Sequence, residues 1–531
     1  MKQIYFFISI VFLILGSCNS SNSYSDLNEK TNVLFIMTDD LNCDLGSYNH
    51  DQVISPNIDK LAEDGFLFEN AHIQWPQCGQ SRASFMTGLY SDQTKHTKLN
   101  VDIRTTIPDV ITLGQRFRQR GYKSVRIGKI YHYDNPGSIG TSSADDIYTW
   151  DYTINPYGRD KEEEYKIKTL KTRQYGGTLS WLEAEGSDEE QTDGIIATEA
   201  IEQLEKFAKS GENFFLGVGF FKPHTPYVAP KKYFEMYDIN NIDIPEMSED
   251  FLKTIPEPAA ISLRHKGDGK GNQYDLSKSE AQEIKRAYYA TVSFLDAQVG
   301  RIIKKLKDTG LDKNTVVVFS SDHGYHLGEK GHWQKQTLYE KTTRVPLIFS
   351  GPGIVSGKKS NSPVELIDIY PTLMDLTKIK SPKHVVGKSL VPIFNNVNHK
   401  IRNSALTRWI ATRFNNVEGY SIKTENYRFV KWGENGEYGY ELYDHKFDSD
   451  EMNNLANDPN YIKTVDSLKI EINLRIKDAR KKPEGLGRQL KEVPYKRYTY
   501  TPGDLYDETG KRVYLKPCLL YTSDAADDSL R

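Results

Sequence analysis

Ionisable side chains occur in this sequence as short clusters, and each cluster directly follows an apolar run. Carboxylates are hard oxygen ligands that suit Ca²⁺ or Mg²⁺, whereas histidine can move protons. Any one cluster alone is explained equally well by a solvated surface or, for paired aspartates, by a helix cap. Four clusters after four apolar runs indicate a single site instead. They are Asp39 with Asp40, Lys129 with His132, Lys222 with His224, and Asp322 with His323.

A cysteine inside a polar motif is the second chemical feature. The segment CGQSRASFMTG begins at Cys78 and places Arg82 four residues later. The chain has 4 cysteines, which is too few for a disulfide scaffold, so this thiol needs another reason. A buried, unreactive cysteine beside an arginine is the structural alternative. Cys43, three residues after Asp40, is interpreted as a buried small hydrophobe.

The elements that must position these residues alternate along the chain. Strands are predicted at 32–37, 122–127, 214–220, 315–320 and 345–350, and helices at 55–62, 111–119, 195–210 and 277–308. Alternation of continuous apolar strands with helices predicts an α/β fold, a mostly parallel central sheet covered by helices on both faces. Because ligands bind at the carboxyl ends of strands in such sheets, we expect the four clusters to converge there.

Past residue 385 the sequence changes to short alternating runs separated by Gly and Asn turns. Runs at 420–424, 427–432 and 441–443 predict a small antiparallel sheet, closed by a helix over 461–481. We therefore predict a catalytic domain over 31–385 and a smaller C-terminal subdomain with an antiparallel sheet over 386–517.

The N-terminus is typical of a targeting segment. An apolar run at 4–15 is too short to span a bilayer and is followed by Gly16-Ser17-Cys18, which resembles a bacterial lipobox. We predict a lipoprotein signal peptide over 1–18 and a tether over 19–30; the alternative is a plain secretory signal. The predicted location is the periplasm or cell surface, with the N-terminal lipid anchor as the sole membrane contact.

Composition excludes several classes of protein. The chain of 531 residues has 69 Lys and Arg against 72 Asp and Glu, so it lacks the basic excess of a nucleic-acid-binding protein. With 38% hydrophobic residues it is not a wholly disordered chain. The segment 518–531 differs in character from the tyrosine- and lysine-rich stretch before it and is interpreted as a non-native tail.

The cysteine motif resembles the signature of the type I sulfatases, C-x-P-S-R running into A-S-x-x-T-G, in the alkaline phosphatase superfamily. The sequence departs from it at Gln80, where the family usually has Pro or Ala. The bacterial iduronate 2-sulfatase-like members are the most similar type. Further matching motifs occur in order at 32–40, 128–132, 222–227, 289–296, 321–335, 441–444 and 453–455.

The resemblance implies a role for each cluster. Cys78 would be oxidised by a maturase to formylglycine (3-oxoalanine), whose hydrate is the nucleophile, and one Ca²⁺ would be bound beside it. Arg82 would assist the nucleophile, and Lys129 would hold the hydrate and a sulfate oxygen. His224, helped by Lys335, would protonate the leaving group, and His132 would be the base that releases sulfate. The implied metal ligands are Asp39, Asp40, Cys78 as its hydrate, Asp322 and His323.

The implied activity is hydrolysis of a sulfate ester on a sulfated polysaccharide or oligosaccharide, such as ulvan or a glycosaminoglycan. His326 and His332 are candidates to line the sugar pocket. Two alternatives remain open. The first is a phosphonate or phosphodiester hydrolase, because these related enzymes share the fold. The second, motivated by Gln80, is an inactive family member that binds sulfated glycans without turnover.

Overall fold

The computed structural model describes residues 30–99, 101–171, 175–246, 250–264 and 275–486. The predicted signal peptide, the tail over 518–531 and all of the tether except Lys30 lie outside these residues, and they stay predictions. Among the described helices, none combines the length and apolarity needed to cross a bilayer.

An eight-stranded sheet forms the centre of the fold. Seven strands run in one direction, and Leu347–Ser350 runs antiparallel to both of its neighbours. The mostly parallel sheet expected from the alternating elements is confirmed. In sheet order the strands are Lys358–Ser360, Phe66–Phe68, Leu347–Ser350, Thr315–Ser321, Asn32–Asp39, Phe214–Pro223, Lys123–Gly128 and Tyr152–Ile154.

Two apolar cores lie on opposite faces of this sheet. Along the central strand Asn32–Asp39, Leu34 and Ile36 join one core while Val33 and Phe35 join the other, because successive side chains alternate between faces. One face is covered by Pro56–Asp64, Thr192–Ser210 and Lys278–Asp308. The other is covered by Cys78–Thr87, Leu113–Arg118, Ile369–Leu376 and Val391–Asn395.

Capping residues set the ends of several helices. The helix predicted at 277–308 begins after Ser277, whose hydroxyl accepts a hydrogen bond from the Glu280 amide. The helix predicted at 111–119 is shorter, Leu113–Arg118, and begins after Thr112 in a capping box with Gln115. The shorter helices are Ser91–Thr94, Ile103–Thr106, Arg159–Glu162, Lys231–Phe234, Phe251–Thr254, Glu257–Leu263 and Glu340–Thr343.

Some of the connections between the larger elements contain short paired strands. Ala71–His72 pairs with Val364–Glu365, and His326–Leu327 pairs with Trp333–Gln334. A three-stranded sheet is formed by Lys168–Thr169, Ser180–Ala184 and Tyr227–Pro230.

The C-terminal region contains a four-stranded antiparallel sheet, as expected. Its strands are Ala405–Ala411, Val417–Lys423, Tyr427–Trp432 and Gly439–Asp444, and the helix Ile462–Ala479 packs on it. The first strand was not predicted, because its side chains are buried on both faces and do not alternate clearly: Leu406 faces the helix and Trp409 packs against Trp75. The predicted domain boundary at 385 stays a prediction.

Two glycines let the strands Lys123–Gly128 and Phe214–Pro223 approach closely just before Lys129. Gly128 has φ +68, and a Cβ there would lie 2.1 Å from the Gly219 carbonyl oxygen and 2.6 Å from Ile196 Cδ1. A Cβ at Gly219 would lie 1.9 Å from the Lys129 carbonyl oxygen. Backbone atoms cannot yield to such contacts, so both positions require glycine.

Gly128→Ala should destabilise the protein more than Gly211→Ala, measured by chemical unfolding. Gly211 has φ +69, but a Cβ there would meet nothing within 4 Å. Both variants incur the left-handed backbone cost of about 1 kcal/mol, and Gly128→Ala adds an overpacking cost of roughly 1–3 kcal/mol. Equal destabilisation would contradict the close approach.

Candidate active site

The four charged clusters meet at the carboxyl ends of four adjacent strands. Asp39 and Asp40 end Asn32–Asp39, which lies at the middle of this group. Lys129 and His132 follow Lys123–Gly128, His224 follows Phe214–Pro223, and Asp322 and His323 follow Thr315–Ser321. The predicted convergence is therefore what the structure shows for these residues, whereas Lys222 lies within Phe214–Pro223 and its Nζ donates to the Pro226 carbonyl oxygen. The roles assigned to these residues by resemblance stay predictions.

Cys78 is the first residue of the helix Cys78–Thr87, all of whose side chains are buried. Its Sγ lies 3.2 Å from His323 Nε2 and 3.3 Å from Lys335 Nζ. Burial raises the pKa of the thiol, but the charges of Lys335, His323 and Lys129 outweigh burial and hold the pKa well below its ordinary value. The helix N-terminus adds further positive potential. The sulfur atom therefore lies where negative charge is stabilised.

Arg82 ties the strand ends together from one turn further along the same helix. Its Nε donates to Asp322 Oδ2 at 2.9 Å, and one terminal nitrogen donates to the Thr38 carbonyl oxygen at 3.0 Å. The other terminal nitrogen donates to the carbonyl oxygens of Lys129 and Ile130, both at 2.9 Å. The guanidinium is wholly buried, so it links three strands through contacts that water does not compete for.

The three aspartates are all wholly buried. Burial and the nearby Cys78 raise the pKa of Asp39, but Lys129, His224 and Arg82 outweigh them and hold it below its ordinary value. Burial dominates at Asp322 and raises its pKa to about 7, although Arg82 and His323 oppose the shift. Three carboxyls in one dry pocket repel one another unless cations neutralise them.

Lysines provide part of that neutralisation. Lys129 Nζ donates to Asp39 Oδ2, and Lys335 Nζ donates to Asp40 Oδ1 at 2.6 Å. Asp39 Oδ1 lies 3.4 Å from a terminal nitrogen of Arg82 and Asp40 Oδ2 lies 3.7 Å from His224 Nε2, but neither oxygen accepts a hydrogen bond from the described residues. Buried carboxylate oxygens without partners are costly unless another cation binds them.

These residues fit a hard divalent cation. Ligand atoms of Asp39, Cys78, Asp322 and His323 all lie within 4.8 Å of one another, as do those of Asp39, Asp40, Cys78 and His224. Carboxylate oxygens are the preferred ligands of Ca²⁺ and Mg²⁺, and two of them are unpartnered here. The unpartnered oxygens and the donor set both support a metal centre.

His224 and Lys335 approach different oxygens of the Asp40 carboxylate. Its Nε2 is 3.7 Å from Asp40 Oδ2, and its Nδ1 is bonded to the Thr225 carbonyl oxygen. A carbonyl oxygen can only accept, so Nδ1 carries a proton and Nε2 is the atom that faces the pocket. The Asn135 side-chain nitrogen also lies 3.4 Å from Nδ1, but two donors form no hydrogen bond, so the Thr225 carbonyl oxygen is the partner of Nδ1.

His332 and His326 do not line the metal pocket. Both are fully buried. His332 Nε2 lies 3.0 Å from the Lys335 carbonyl oxygen and its Nδ1 lies 2.7 Å from that of Leu263, so it holds the backbone that carries Lys335. His326 bonds to Thr337 Oγ1 at 3.0 Å and borders a separate cavity of 640 Å³.

Cys43 borders the same separate cavity and is partly exposed rather than buried. Burial of the sulfur itself raises the pKa of the Cys43 thiol to about 12, which favours the neutral, less nucleophilic form. Of the two described cysteines, the sequence therefore assigned reactivity to the one whose thiol has the lower pKa, Cys78.

Sequence reasoning missed the residue that positions His224. Asp193, at the start of the helix Thr192–Ser210, is wholly buried and accepts hydrogen bonds from the amides of Phe221 and Lys222 at 3.1 and 2.9 Å. Lys222 Nζ donates to the Pro226 carbonyl oxygen at 3.1 Å, so this lysine stabilises the loop instead of entering the pocket. An aspartate at a helix start resembles an ordinary cap in sequence, which is why it carried no signal.

Comparison with known proteins agrees with this geometry. A family model described as "Sulfatase" matches residues 31–379, and one described as "N-sulphoglucosamine sulphohydrolase, C-terminal" matches residues 328–478. The chain is 32% identical to a protein named "Sulfatase" from Formosa agariphila, over 86% of this chain and 90% of the relative. It is 31% identical to human iduronate 2-sulfatase, over 80% of this chain and 88% of the relative.

Solved structures support the fold. A phosphonate monoester hydrolase from Silicibacter pomeroyi superposes with a TM-score of 0.69 at 21% identity, covering 85% of this chain and 96% of that one. A 2-O GAG sulfatase superposes with a TM-score of 0.65 at 23% identity, covering 85% of this chain and 93% of that one.

Added Ca²⁺ should raise the melting temperature of the wild type, because a cation that binds only the folded pocket stabilises it. At about 100 times Kd the stabilisation is ~2.7 kcal/mol. Asp322→Asn keeps the shape of the side chain and should lose most of the shift. Asp44→Asn is the control, because Asp44 is also buried but pairs with Lys341 at 2.8 Å. Equal shifts in both variants would place the cation elsewhere.

Proposed function

We propose that this chain, which belongs to the sulfatase family and is a sulfatase enzyme, removes sulfate from a sulfated sugar at the Cys78 pocket. The observation that carries the proposal is the position of Cys78. Its sulfur lies at a helix N-terminus between Lys335 and His323, and within the field of three buried aspartates. A sulfate ester is an anion, so attack on it requires concentrated positive charge around the reacting sulfur.

We propose that Cys78 is converted to formylglycine by a maturase. Formylglycine at this position would supply a hydroxyl of its hydrated aldehyde as the nucleophile. The departure from the family motif at Gln80 does not touch the cysteine side chain. The Gln80 amide is buried and donates to Gln77 Oε1 at 3.1 Å.

The proposed metal is one Ca²⁺ that would be held by Asp39, Asp40, Asp322, His323 and an oxygen of the modified Cys78. Oxygen ligands dominate this set, and Ca²⁺ tolerates the irregular geometry of a site built from several strand ends. Bound there, the cation would withdraw electron density from the nucleophile and from the sulfate oxygens. Lys129 and Lys335 are placed to bind the remaining sulfate oxygens.

His224 is proposed as the proton donor to the departing sugar oxygen. Its Nδ1 is fixed by the Thr225 carbonyl, so a proton on Nε2 points into the pocket beside Asp40. Lys335, whose Nζ lies 2.6 Å from Asp40 Oδ1, is proposed to assist His224 in this step. His132, which interacts with the Cys78 thiol, is proposed as the base that completes turnover, with Asp134 Oδ1 3.6 Å from its Nε2.

The proposed substrate is a sulfated polysaccharide or oligosaccharide, and a uronate-containing glycan such as ulvan or a glycosaminoglycan is favoured by similarity to human iduronate 2-sulfatase. Because phosphonate monoester hydrolases share the fold, aryl phosphodiesters belong in the same assay panel. We further propose export as a lipoprotein to the periplasm or cell surface, on the basis of the apolar run at 4–15 and Cys18.

Cys78→Ala should abolish hydrolysis of an aryl sulfate by enzyme that was co-expressed with a maturase. Cys43→Ala is the matched control, since Cys43 is the other described cysteine and lies in a separate cavity. It should retain activity. Mass spectrometry of the Cys78 peptide should show the thiol converted to an aldehyde in the wild type, with sulfur replaced by oxygen and two hydrogens lost. Turnover by folded Cys78→Ala would refute the nucleophile, and an unmodified thiol in active enzyme would refute the modification.

His224→Ala should lose far more activity on a sulfated sugar than on 4-nitrophenyl sulfate. A sugar alkoxide needs a proton to leave, whereas a nitrophenolate does not, so the sugar reaction should slow by roughly 10²–10⁴-fold. His132→Ala should slow both substrates by a similar factor, because its step follows loss of the leaving group. Steady-state and single-turnover rates test both variants. Equal impairment of both substrates in His224→Ala would show that it is not the acid.

A further inference from the structure

A second buried histidine lies beside the nucleophile and has no assigned role. His96 is 3% exposed, yet neither ring nitrogen has a hydrogen-bond partner among the described residues. A neutral imidazole carries one donor and one acceptor, and leaving both unpaired in a protein interior costs free energy. Such a group requires an explanation, and a ligand that supplies the missing partners is one.

The position of His96 connects it to the catalytic residues. It lies shortly after the helix Ser91–Thr94, and its Nε2 would be 3.5 Å from a Cβ built on Gly79, the residue that follows Cys78. The same Cβ would lie 3.7 Å from His132 Cβ and 3.3 Å from Leu99 Cδ2. His96, His132 and Leu99 therefore surround one point next to the nucleophile.

His132 lies at the same point. Apart from its interaction with the Cys78 thiol, its ring nitrogens have no hydrogen-bond partner among the described residues, and Asp134 Oδ1 lies 3.6 Å from its Nε2. Burial, reinforced by the charge of His132, lowers the pKa of His96 to about 4. His96 is thus neutral at neutral pH and remains both a donor and an acceptor.

The chemistry of the pair indicates what it binds. The sulfate group itself is matched by cations that only donate, namely Lys129 and Lys335. A neutral imidazole, in contrast, matches a group that also both donates and accepts, which in a sugar is a hydroxyl. The ring lies against Gly79, one residue after Cys78, so we place the hydroxyl in question close to the sulfated carbon.

We propose that His96, together with His132, forms a subsite that binds a free sugar hydroxyl next to the scissile sulfate ester. This inference rests on the proposed function and adds to it a specific requirement of the substrate. It makes His96 a determinant of specificity for sugars with an unsubstituted hydroxyl beside the sulfate. An aryl sulfate, which has no such hydroxyl, gains nothing from this subsite.

The test compares kcat/KM on two probes, 4-nitrophenyl sulfate and the monosulfated uronide that the wild type hydrolyses fastest. His96→Ala should lose roughly 10–100-fold on the uronide, as expected for one or two hydrogen bonds to a buried polar group, and at least ten times less on the aryl sulfate. His96→Asn keeps a donor and an acceptor and should recover part of the loss. His384→Phe is the control, since its Nε2 is also buried and unpartnered but its ring packs against Tyr370.

A substrate analogue closes a double-mutant cycle. The wild-type kcat/KM should be lower by the same factor on a uronide sulfate that lacks the neighbouring hydroxyl. On that analogue, His96→Ala should cause no further decrease in kcat/KM. This comparison holds even if His96→Ala folds poorly, because the wild type alone reveals the hydroxyl requirement. Equal losses on both probes, or undiminished hydrolysis of the deoxy analogue, would overturn the subsite. Inactivity of the wild type on both probes would instead overturn the proposed function.

Discussion

Charge balance inside a dry pocket is the constraint on which the rest of the structure depends. Three wholly buried aspartates and a buried cysteine are tolerable only because cations reach them from several elements. Arg82 has the central place, since its guanidinium joins the carboxylate of Asp322 to backbone carbonyls on neighbouring strands. The polar site is thus also the joint that fixes the strand ends.

The sequence predicted the parts of the fold that follow from local patterns. Buried parallel strands such as Asn32–Asp39 are continuous apolar runs, and the long helix Lys278–Asp308 begins at a capping box. Convergence of the charged clusters also followed, because the ends of parallel strands share one edge of the sheet. The antiparallel direction of Leu347–Ser350 did not, since an apolar strand has the same pattern in either direction.

The residues that escaped prediction act through tertiary contacts. His332 was a candidate for the sugar pocket, but it holds the Lys335 backbone, and nothing in its local sequence distinguishes these roles. Asp193 and His96 likewise lie outside the matching motifs, and their importance depends on which chain segments fold against them. Sequence motifs identify the groups that react, whereas the residues that hold them require the structure.

The anchoring of His224 through Asp193 has a mechanical consequence. The carboxylates belong to the sheet, but the backbone before His224 is bonded to the first turn of Thr192–Ser210, a helix of the covering layer. The distance between His224 and the carboxylates is therefore set by how this layer packs on the sheet. Ile196, on the same helix, packs directly against Gly128, where there is room only for a hydrogen atom. The absence of a side chain at Gly128 therefore helps to set how far His224 lies from the carboxylates.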